Sequence, residues 1–391
     1  MKKIDRLEKA LSEEVASKYL EKIKYCSDND LCWCGSNIKY KDCHKNISKN
    51  KPSPSGKVFH SFLSLRKKKM CLYPDNKKCS GSIINAHSIQ KSKSLYTISE
   101  DGKVYRFEMD IASYDNWAKY ETLMPKIKGI AETSIFKGFC AFHDRELFKN
   151  IDMYTIEPTI EQSILLSIRS IAHEIYTKNI TSEMDDIYKE ALNGSPIEWQ
   201  TKIHEEMKLH QVGTIIGLED LGEHYSNFFK IYLNKEYSRI NRLIIKIDEQ
   251  PEIMCSACFS PEFDLNNNLL QDIGKLEFLE FMTFEIFSNG EHGIIQFCWY
   301  DDFPSCKLFI ESILQSEDIP NTILKLVFII TENHAFKISW FNNLTVLQKK
   351  GIMRLIMNHI MSDKLNEGIL SLKKDRKKYI NWNIKKIEKI F

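Results

Sequence analysis

The chain has 391 residues, of which 43% are apolar and 28% are charged, and its formal net charge is +2. This balance is typical of a globular protein with two or three domains and excludes a disordered or fibrous chain. No apolar run approaches the roughly eighteen residues of a membrane span, and the start, residues 1–5, lacks a signal-peptide core. The sequence therefore predicts a cytoplasmic protein without a membrane partner.

The cysteines and the charge distribution indicate which ligands and partners to expect, namely metal ions and nucleic acid. Eleven cysteines in a reducing cytoplasm are expected to be metal ligands and buried thiols rather than disulfides. Residues 1–70 carry 17 Lys and Arg against 8 Asp and Glu, and residues 373–391 carry 8 against 2. Basic ends suit contact with nucleic acid, although solvated lysines explain them equally well.

An amphipathic helix is predicted over residues 3–25, because apolar residues recur there at helical spacing. It leads into Cys32, Cys34, Cys43 and His44, four soft or borderline ligands on a very short loop. The Gly-Ser step after Cys34 lets the backbone bend so that both of the first cysteines can face one ion. Thiolate and imidazole ligands close a tetrahedral shell, so the sequence predicts a structural zinc site here.

The same residues carry a resemblance to a known family. Cys-x-Cys-Gly-Ser, a basic and aromatic stretch, and then Cys-His resemble the SEC-C motif over residues 32–45. This motif is best known at the C-terminus of the preprotein-translocation ATPase. The resemblance implies a zinc-held surface that docks a protein or ribosome partner, and it implies no reaction.

A second zinc site is predicted beyond a basic linker at 51–70. Cys140-x-x-His143 has the spacing of a metal knuckle, and Cys71 with Cys79 can supply the other two ligands. Together these four residues predict a closed Cys₃His site.

His87 is then left over, at the end of a short predicted strand over 82–86. A strand-end histidine between the two halves of a zinc site resembles the HNH nucleases of the ββα-metal type. The resemblance implies that His87 is the general base and that Asp144 stands where the family has an ion-binding histidine. It also implies a second, hard ion such as Mg²⁺ or Mn²⁺ for phosphodiester hydrolysis. The alternatives for His87 are a zinc ligand in place of Cys71 or Cys79, or a core histidine bonded to the backbone.

The rest of the chain divides into a helical and a strand-rich part. Thr159 and Gln162 have capping-box spacing, and helix is predicted from there to about 235, with an interruption near 193–196. Beyond residue 235 the spacing of apolar residues shortens and predicts strands over 243–247, 281–287, 294–300 and 324–330. A hairpin turn is predicted at 288–290, and a last helix over 345–362.

Two weaker groups are expected to be structural. Cysteines with the spacing of a third site lie in apolar runs and are expected to be small hydrophobes; they are Cys255, Cys258, Cys298 and Cys306. Polar residues on the first long helix are expected on a solvated face rather than as acid–base groups; they are Arg169, His173 and Glu174.

The predicted fold class is α+β and multidomain. The expected parts are an N-terminal helix with a zinc knuckle (1–50), the basic linker (51–70), a zinc-stabilised treble-clef-like, HNH-like module (71–155), a helical region (156–238) and a mixed β-rich C-terminal domain with a basic tail (239–391). The functional hypothesis is a bacterial zinc protein that engages nucleic acid as an HNH-type nuclease in phage defence. The alternative is a non-catalytic adaptor that docks a partner through the knuckle. The oligomeric state is not predicted.

Overall fold

A computed structural model describes residues 26–75, 78–108, 111–153, 157–275, 277–361 and 367–391. Its contacts divide the chain into two compact units. Of the described residues, the first unit takes those within 26–69 and 175–223, and the second takes those within 70–174 and 224–391. The helix predicted over residues 3–25 lies outside the described residues.

The described residues combine helices and strands, as the sequence predicts for an α+β chain. The α-helices are α1 (His44–Lys49), α2 (Ser55–Leu65), α3 (Tyr96–Ile98), α4 (Ile111–Tyr120), α5 (Ala141–Asp152), α6 (Ile160–Thr181), α7 (Asp185–Ala191), α8 (Ile197–Asn234), α9 (Pro304–Leu314), α10 (Ile319–Ile330), α11 (Ile338–Asn343), α12 (Val346–Met361) and α13 (Glu367–Lys374). The strands are β1 (Ala86–His87), β2 (Lys103–Arg106), β3 (Lys126–Gly129), β4 (Ile135–Phe136), β5 (Ile240–Ile247), β6 (Ile253–Phe259), β7 (Met282–Ser288), β8 (Gly293–Tyr300), β9 (His334–Phe336) and β10 (Ile384–Ile390). Short 3₁₀ turns also lie at Tyr40–Asp42 and Tyr237–Arg239, and a π-helical turn lies at Lys91–Leu95.

Within the first unit, the segment predicted as a basic linker contains helix α2. Lys57 of α2 pairs with Glu190 of α7 at 2.6 Å, and the Ser61 hydroxyl donates to the same carboxylate at 3.3 Å. At Gly194, φ is +78°, and a Cβ there would lie 2.9 Å from the carbonyl oxygen of Asn50. The segment is therefore a packed element of this unit.

Within the second unit, an eight-stranded sheet has the order β10-β5-β8-β7-β6-β9-β2-β3, and every neighbouring pair is antiparallel. Strands β5, β7 and β8 confirm three of the four predicted strands, and the predicted turn joins β7 to β8 as a hairpin. Strands β2 and β3 come from the segment predicted as the second zinc module, so that segment and the C-terminal region share one sheet. Strands β1 and β4 pair separately.

One face of the large sheet is apolar. Alternate residues of its central strands belong to a core that also takes in residues of α9, α10 and α12, and the Phe284 and Phe297 rings stack there at 4.4 Å. Because successive side chains of a strand point to opposite faces, this alternation leaves a second set of side chains on the other face.

That other face carries a buried polar group, which α6 covers. Three serines at positions i, i+4 and i+7 of this helix reach the strands, since Ser163 bonds to Gln296 (2.7 Å), Ser167 to Thr283 (2.8 Å), and Ser170 to both Ser256 (2.7 Å) and Glu285 (2.8 Å). Buried polar groups must find partners, and this network supplies them. Glu285 is the only carboxylate named in it and is 2% exposed.

Glu285 makes the stability of the second unit depend on pH. Burial raises the pKa of its carboxyl from 4.5 to about 7, against hydrogen bonds from Ser170, Gln296 and Thr283 that lower it. The unfolded chain then loses the proton near pH 4.5 while the folded chain keeps it until about pH 7, so the free energy of unfolding falls as pH rises through this window.

We expect Glu285→Gln to remove this dependence, which amounts to roughly 3 kcal/mol across the window. Chemical denaturation of the wild type and the variant at several pH values between about 4.5 and 8 measures it. Subtracting the two curves isolates Glu285 from the other titrating groups. Parallel curves would contradict the expectation.

The strand predicted at 324–330 is wrong, because these residues end helix α10. The run Leu324–Ile330 is rich in β-branched residues, and nearly all of α10 is buried, so no polar face marks its helical period. The helix start is visible one turn earlier, where the side chain of Asp318 caps the N–H of Asn321 and Pro320 occupies the first turn.

None of the helices in the described part of the chain has both the length and the apolar character needed to cross a bilayer.

Candidate metal centres and a histidine-lined cavity

The first cluster sits on a loop whose backbone folds back on itself. The N–H of Cys32 donates to the carbonyl of Ile38 at 2.7 Å, and the N–H of Gly35 donates to the carbonyl of Cys32 at 3.2 Å. Gly35 has a φ of +75°, in the left-handed region that favours glycine. This turn brings Cys34 back towards Cys43, which immediately precedes α1.

The four predicted ligands of this cluster lie together. Their ligand atoms are all within 4.8 Å of one another, and the side chains are 1–7% exposed. The Sγ atoms of Cys34 and Cys43 are 3.7 Å apart, and Nδ1 of His44 lies 3.3 Å from the Sγ of Cys32. A tetrahedral zinc shell requires edges of about 3.8 Å between sulfurs and about 3.5 Å between sulfur and nitrogen. The donor set and its spacing fit zinc.

Two neighbouring thiols of this cluster have pKa values shifted in opposite directions. The pKa of Cys34 is lowered by the neighbouring Cys32 thiol, and His44 and the Ser36 hydroxyl, whose oxygen is 3.2 Å from its Sγ, lower it further. The same pairing, together with burial, raises the pKa of Cys32. Metal ligation requires thiolates, and the lowered pKa of Cys34 favours that form.

The second cluster is assembled from segments far apart in the chain. Backbone hydrogen bonds from Met70 to Lys137 (3.1 Å) and from Leu72 to Gly138 (2.8 Å) place Cys71 beside Cys140. Cys140 caps helix α5, since its Sγ accepts a bond from the N–H of His143 in the first turn.

Its donor set also fits zinc. The ligand atoms of Cys71, Cys79, Cys140 and His143 are within 4.8 Å of one another, and Nδ1 of His143 is 3.4 Å from the Sγ of both Cys71 and Cys140. Cys140 and His143 are buried, and Cys71 and Cys79 are half-buried. Cys71 and Cys79 therefore lie close together in the fold, although seven residues separate them in the sequence.

His87 stands outside that cluster and lines a cavity of about 400 Å³. The alternative in which it replaces Cys71 or Cys79 as a ligand is therefore wrong. Its Nε2 lies 3.2 Å from the carbonyl oxygen of Ile130, so it is bonded to the backbone, as the core alternative expects. It is nevertheless only half-buried, and burial lowers its pKa. A neutral imidazole therefore faces the cavity.

The cavity is also lined by acidic and basic side chains. Asp144, in the first turn of α5, and Asp152, at its end, both line the cavity. Burial raises the pKa of Asp144, and the charge of Arg169 lowers it. Arg169 donates two hydrogen bonds to Asp152, at 2.9 and 2.6 Å, and packs over the Phe148 ring.

Arg169, which the sequence predicts on a solvated helix face, lines the cavity instead. The prediction of a solvated helix face is wrong for this residue, which is 3% exposed and reaches the cavity wall, while His173 and Glu174 are half-buried. A buried guanidinium needs a carboxylate partner, and Asp152 lies 17 residues away on another helix. The pairing had no local sequence signal.

The cysteines with the spacing of a third site behave as small hydrophobes. Cys255, Cys298 and Cys306 are 0–2% exposed, and two of them belong to the apolar core. Burial raises the pKa of all three thiols. Among the residues that the structure describes, they form no ligand cluster with Cys258.

Comparison with known proteins gives one match. The SEC-C motif model matches residues 29–46, which include all four ligands of the first cluster. No curated protein and no solved structure matches the chain. The SEC-C resemblance is therefore confirmed for this short segment, and no comparison supports the HNH resemblance. Two Cys₃His clusters and a SEC-C motif mark the chain as one that can hold zinc.

Proposed function

We propose that the second unit hydrolyses phosphodiester bonds in nucleic acid with the aid of a hard divalent ion. The observation that carries this proposal is that His87 and Asp144 line one cavity next to the Cys71-Cys79-Cys140-His143 cluster. Strands β1 and β4 pair with each other and α5 follows β4, although β2, α4 and β3 lie between β1 and β4 in the chain. Zinc in the closed cluster would hold the strands and helix in place.

The environment of His87 supports the role of general base. Donation of its Nε2–H to the Ile130 carbonyl leaves Nδ1 as the nitrogen with a free lone pair. Burial lowers the pKa of His87, so the ring is neutral and able to accept a proton at pH 7. These are the two properties that a base must have to take a proton from water.

Asp144 supports the role of ion ligand. Mg²⁺ and Mn²⁺ prefer oxygen donors, and a site with one or two carboxylates completed by water and phosphate oxygens is typical of enzymes that act on phosphates. Such an ion supplies charge stabilisation at the phosphate. Asp152 is already held by two hydrogen bonds from Arg169, which fixes the wall on which Asp144 stands.

Cleavage of plasmid or phage DNA tests the proposal. We expect hydrolysis in the presence of Mg²⁺ or Mn²⁺, and a loss of roughly 10²- to 10⁴-fold in His87→Ala, the usual contribution of a positioned base. His60→Ala, at an exposed histidine of the first unit, is the matched control and should cleave normally. Zinc content should be the same in all three proteins. Equal cleavage by the wild type and His87→Ala, or none by either, would refute the proposal.

A second candidate function, docking of a protein partner by the first cluster, has its own observation. Leu31 directly precedes the zinc-ligand loop and Ile38 lies within it, and they are 63% and 48% exposed although both are large apolar residues. Exposed apolar side chains on a rigid loop are typical of a binding surface. Phosphodiester hydrolysis and docking would use different units of the chain, so they are compatible.

A further inference from the structure

We propose that the cavity beside His87 receives an unpaired nucleotide, with Tyr96 as the surface on which its base stacks. This inference deepens the proposed function and rests on it, because it assigns a substrate class, a single strand of nucleic acid, to the same site.

The first step is the exposure of Tyr96. Its side chain is 69% exposed although it lines the cavity. An aromatic ring that is open to solvent beside a catalytic cavity offers its face to a ligand. Base–aromatic stacking accepts any base, because every base has a π-face.

The second step is that the backbone that carries Tyr96 is anchored by its neighbours. The preceding π-helical turn closes with a bond from the N–H of Leu95 to the carbonyl of Gln90 at 3.0 Å. Ser94 and Leu95 are fully buried, and the Ser94 hydroxyl accepts a bond from the N–H of Ser288 in the large sheet. The ring therefore projects from an anchored turn, which lowers the conformational entropy lost on stacking. π-helical turns are frequent at functional sites.

The third step is the composition of the rim. Lys91, Ser92 and Asn85 also line the cavity and are exposed. Lys91 supplies a positive charge for a backbone phosphate, and the other two supply neutral hydrogen-bonding groups. A stacking ring beside a lysine is the combination by which proteins hold single strands.

Double-stranded nucleic acid offers no free base face for Tyr96 to stack on. The bases of a duplex are stacked on each other, so Tyr96 can reach a base face only where a nucleotide is unpaired. The cavity volume of about 400 Å³ is in the range of roughly 300–1,000 Å³ for ligand pockets, enough for one nucleotide. A single strand, a flap or a flipped nucleotide all present this chemistry.

Binding measured without cleavage tests the inference. Full-length zinc-loaded His87→Ala is titrated into a fluorescein-labelled single-stranded oligonucleotide, in separate DNA and RNA arms, and into the matching DNA duplex. Adding Tyr96→Ala should weaken single-strand binding by about 5- to 100-fold and leave duplex binding unchanged. Tyr96→Phe keeps the ring and should bind as the parent does. Tyr120→Ala removes an equally exposed tyrosine, 70%, that does not line the cavity, and should also have no effect.

The outcomes separate this inference from the proposed function. Unchanged single-strand binding in Tyr96→Ala, or equal weakening of single-strand and duplex binding, would overturn it even if the wild type cleaves DNA. If the wild type cleaves nothing but Tyr96→Ala still weakens single-strand binding alone, the nuclease proposal is refuted and the assignment of Tyr96 stands. The DNA and RNA arms identify which strand the site prefers.

Discussion

Replacing Cys71 by serine is expected to reduce the zinc content of the protein from two ions per chain to one and to destabilise the second unit. A serine hydroxyl does not ligate zinc as a thiolate does, and a Cys₃His site that loses one ligand no longer closes its shell. Structural zinc contributes about 10 kcal/mol or more to the folding of small zinc domains, so a large loss of stability is expected.

Loss of the Cys71 ligand is expected to affect the start of helix α5 most directly. Cys71 lies beside Cys140, whose N–H donates to the Cys71 sulfur at 3.4 Å, and Cys140 in turn caps helix α5. Release of the ion leaves three buried or half-buried ligands unpaired at the start of this helix. The helix carries Asp144, so any cleavage activity should disappear together with the zinc.

Metal analysis and thermal unfolding measure this effect. Cys258→Ser is the matched control, since Cys258 is also half-buried but belongs to neither cluster. The control should keep both ions and show only the small cost of a polar substitution. Two tightly bound zinc ions in Cys71→Ser would show that the second cluster does not hold metal.

Features that depend on neighbours in the chain could be predicted from the sequence. The first cluster is one, because its four ligands lie within 13 residues and the turn at Gly35 needs no distant contact. The capping box at the start of α6 is another, with reciprocal bonds between Thr159 and Gln162 at 3.2 and 3.4 Å. In both cases the residue types fix the local geometry.

Features that depend on long-range packing could not be predicted. The sequence of helix α10 predicts a strand, because a helix buried on nearly all sides has no polar period. The sequence around Arg169 predicts a surface residue, because its partner Asp152 comes from another helix. Tyr96 carries no sequence signal at all, because only the fold brings it to the same cavity as His87. The residue types of the second cluster predict its ligands. Their separation in the chain, however, does not predict how they are arranged around an ion.

Replacing Cys43 by serine is expected to release the other zinc ion and to abolish docking, while the second unit stays intact. Cys43 has contacts with two further members of the first cluster, Cys34 at 3.7 Å and His44 at 3.4 Å, and it is 7% exposed. Without the ion, the loop keeps only the small apolar cluster around Trp33 and Tyr40, so its fold is expected to be lost with the metal. Metal analysis should again show one zinc per chain.

The docking surface and the metal can be separated by a second variant. Leu31→Ser with Ile38→Ser removes exposed apolar side chains but no ligand, so zinc content should stay at two while co-purification of a protein or ribosome partner is lost. Retention of the partner by both variants would contradict docking through this loop. If Cys43→Ser alone loses the partner, the recognised surface lies elsewhere on the zinc-held loop. Cleavage should persist in both variants, because His87 and Asp144 belong to the other unit. A joint loss of cleavage would therefore mean that the first cluster contributes to the reaction and is not a separate docking element.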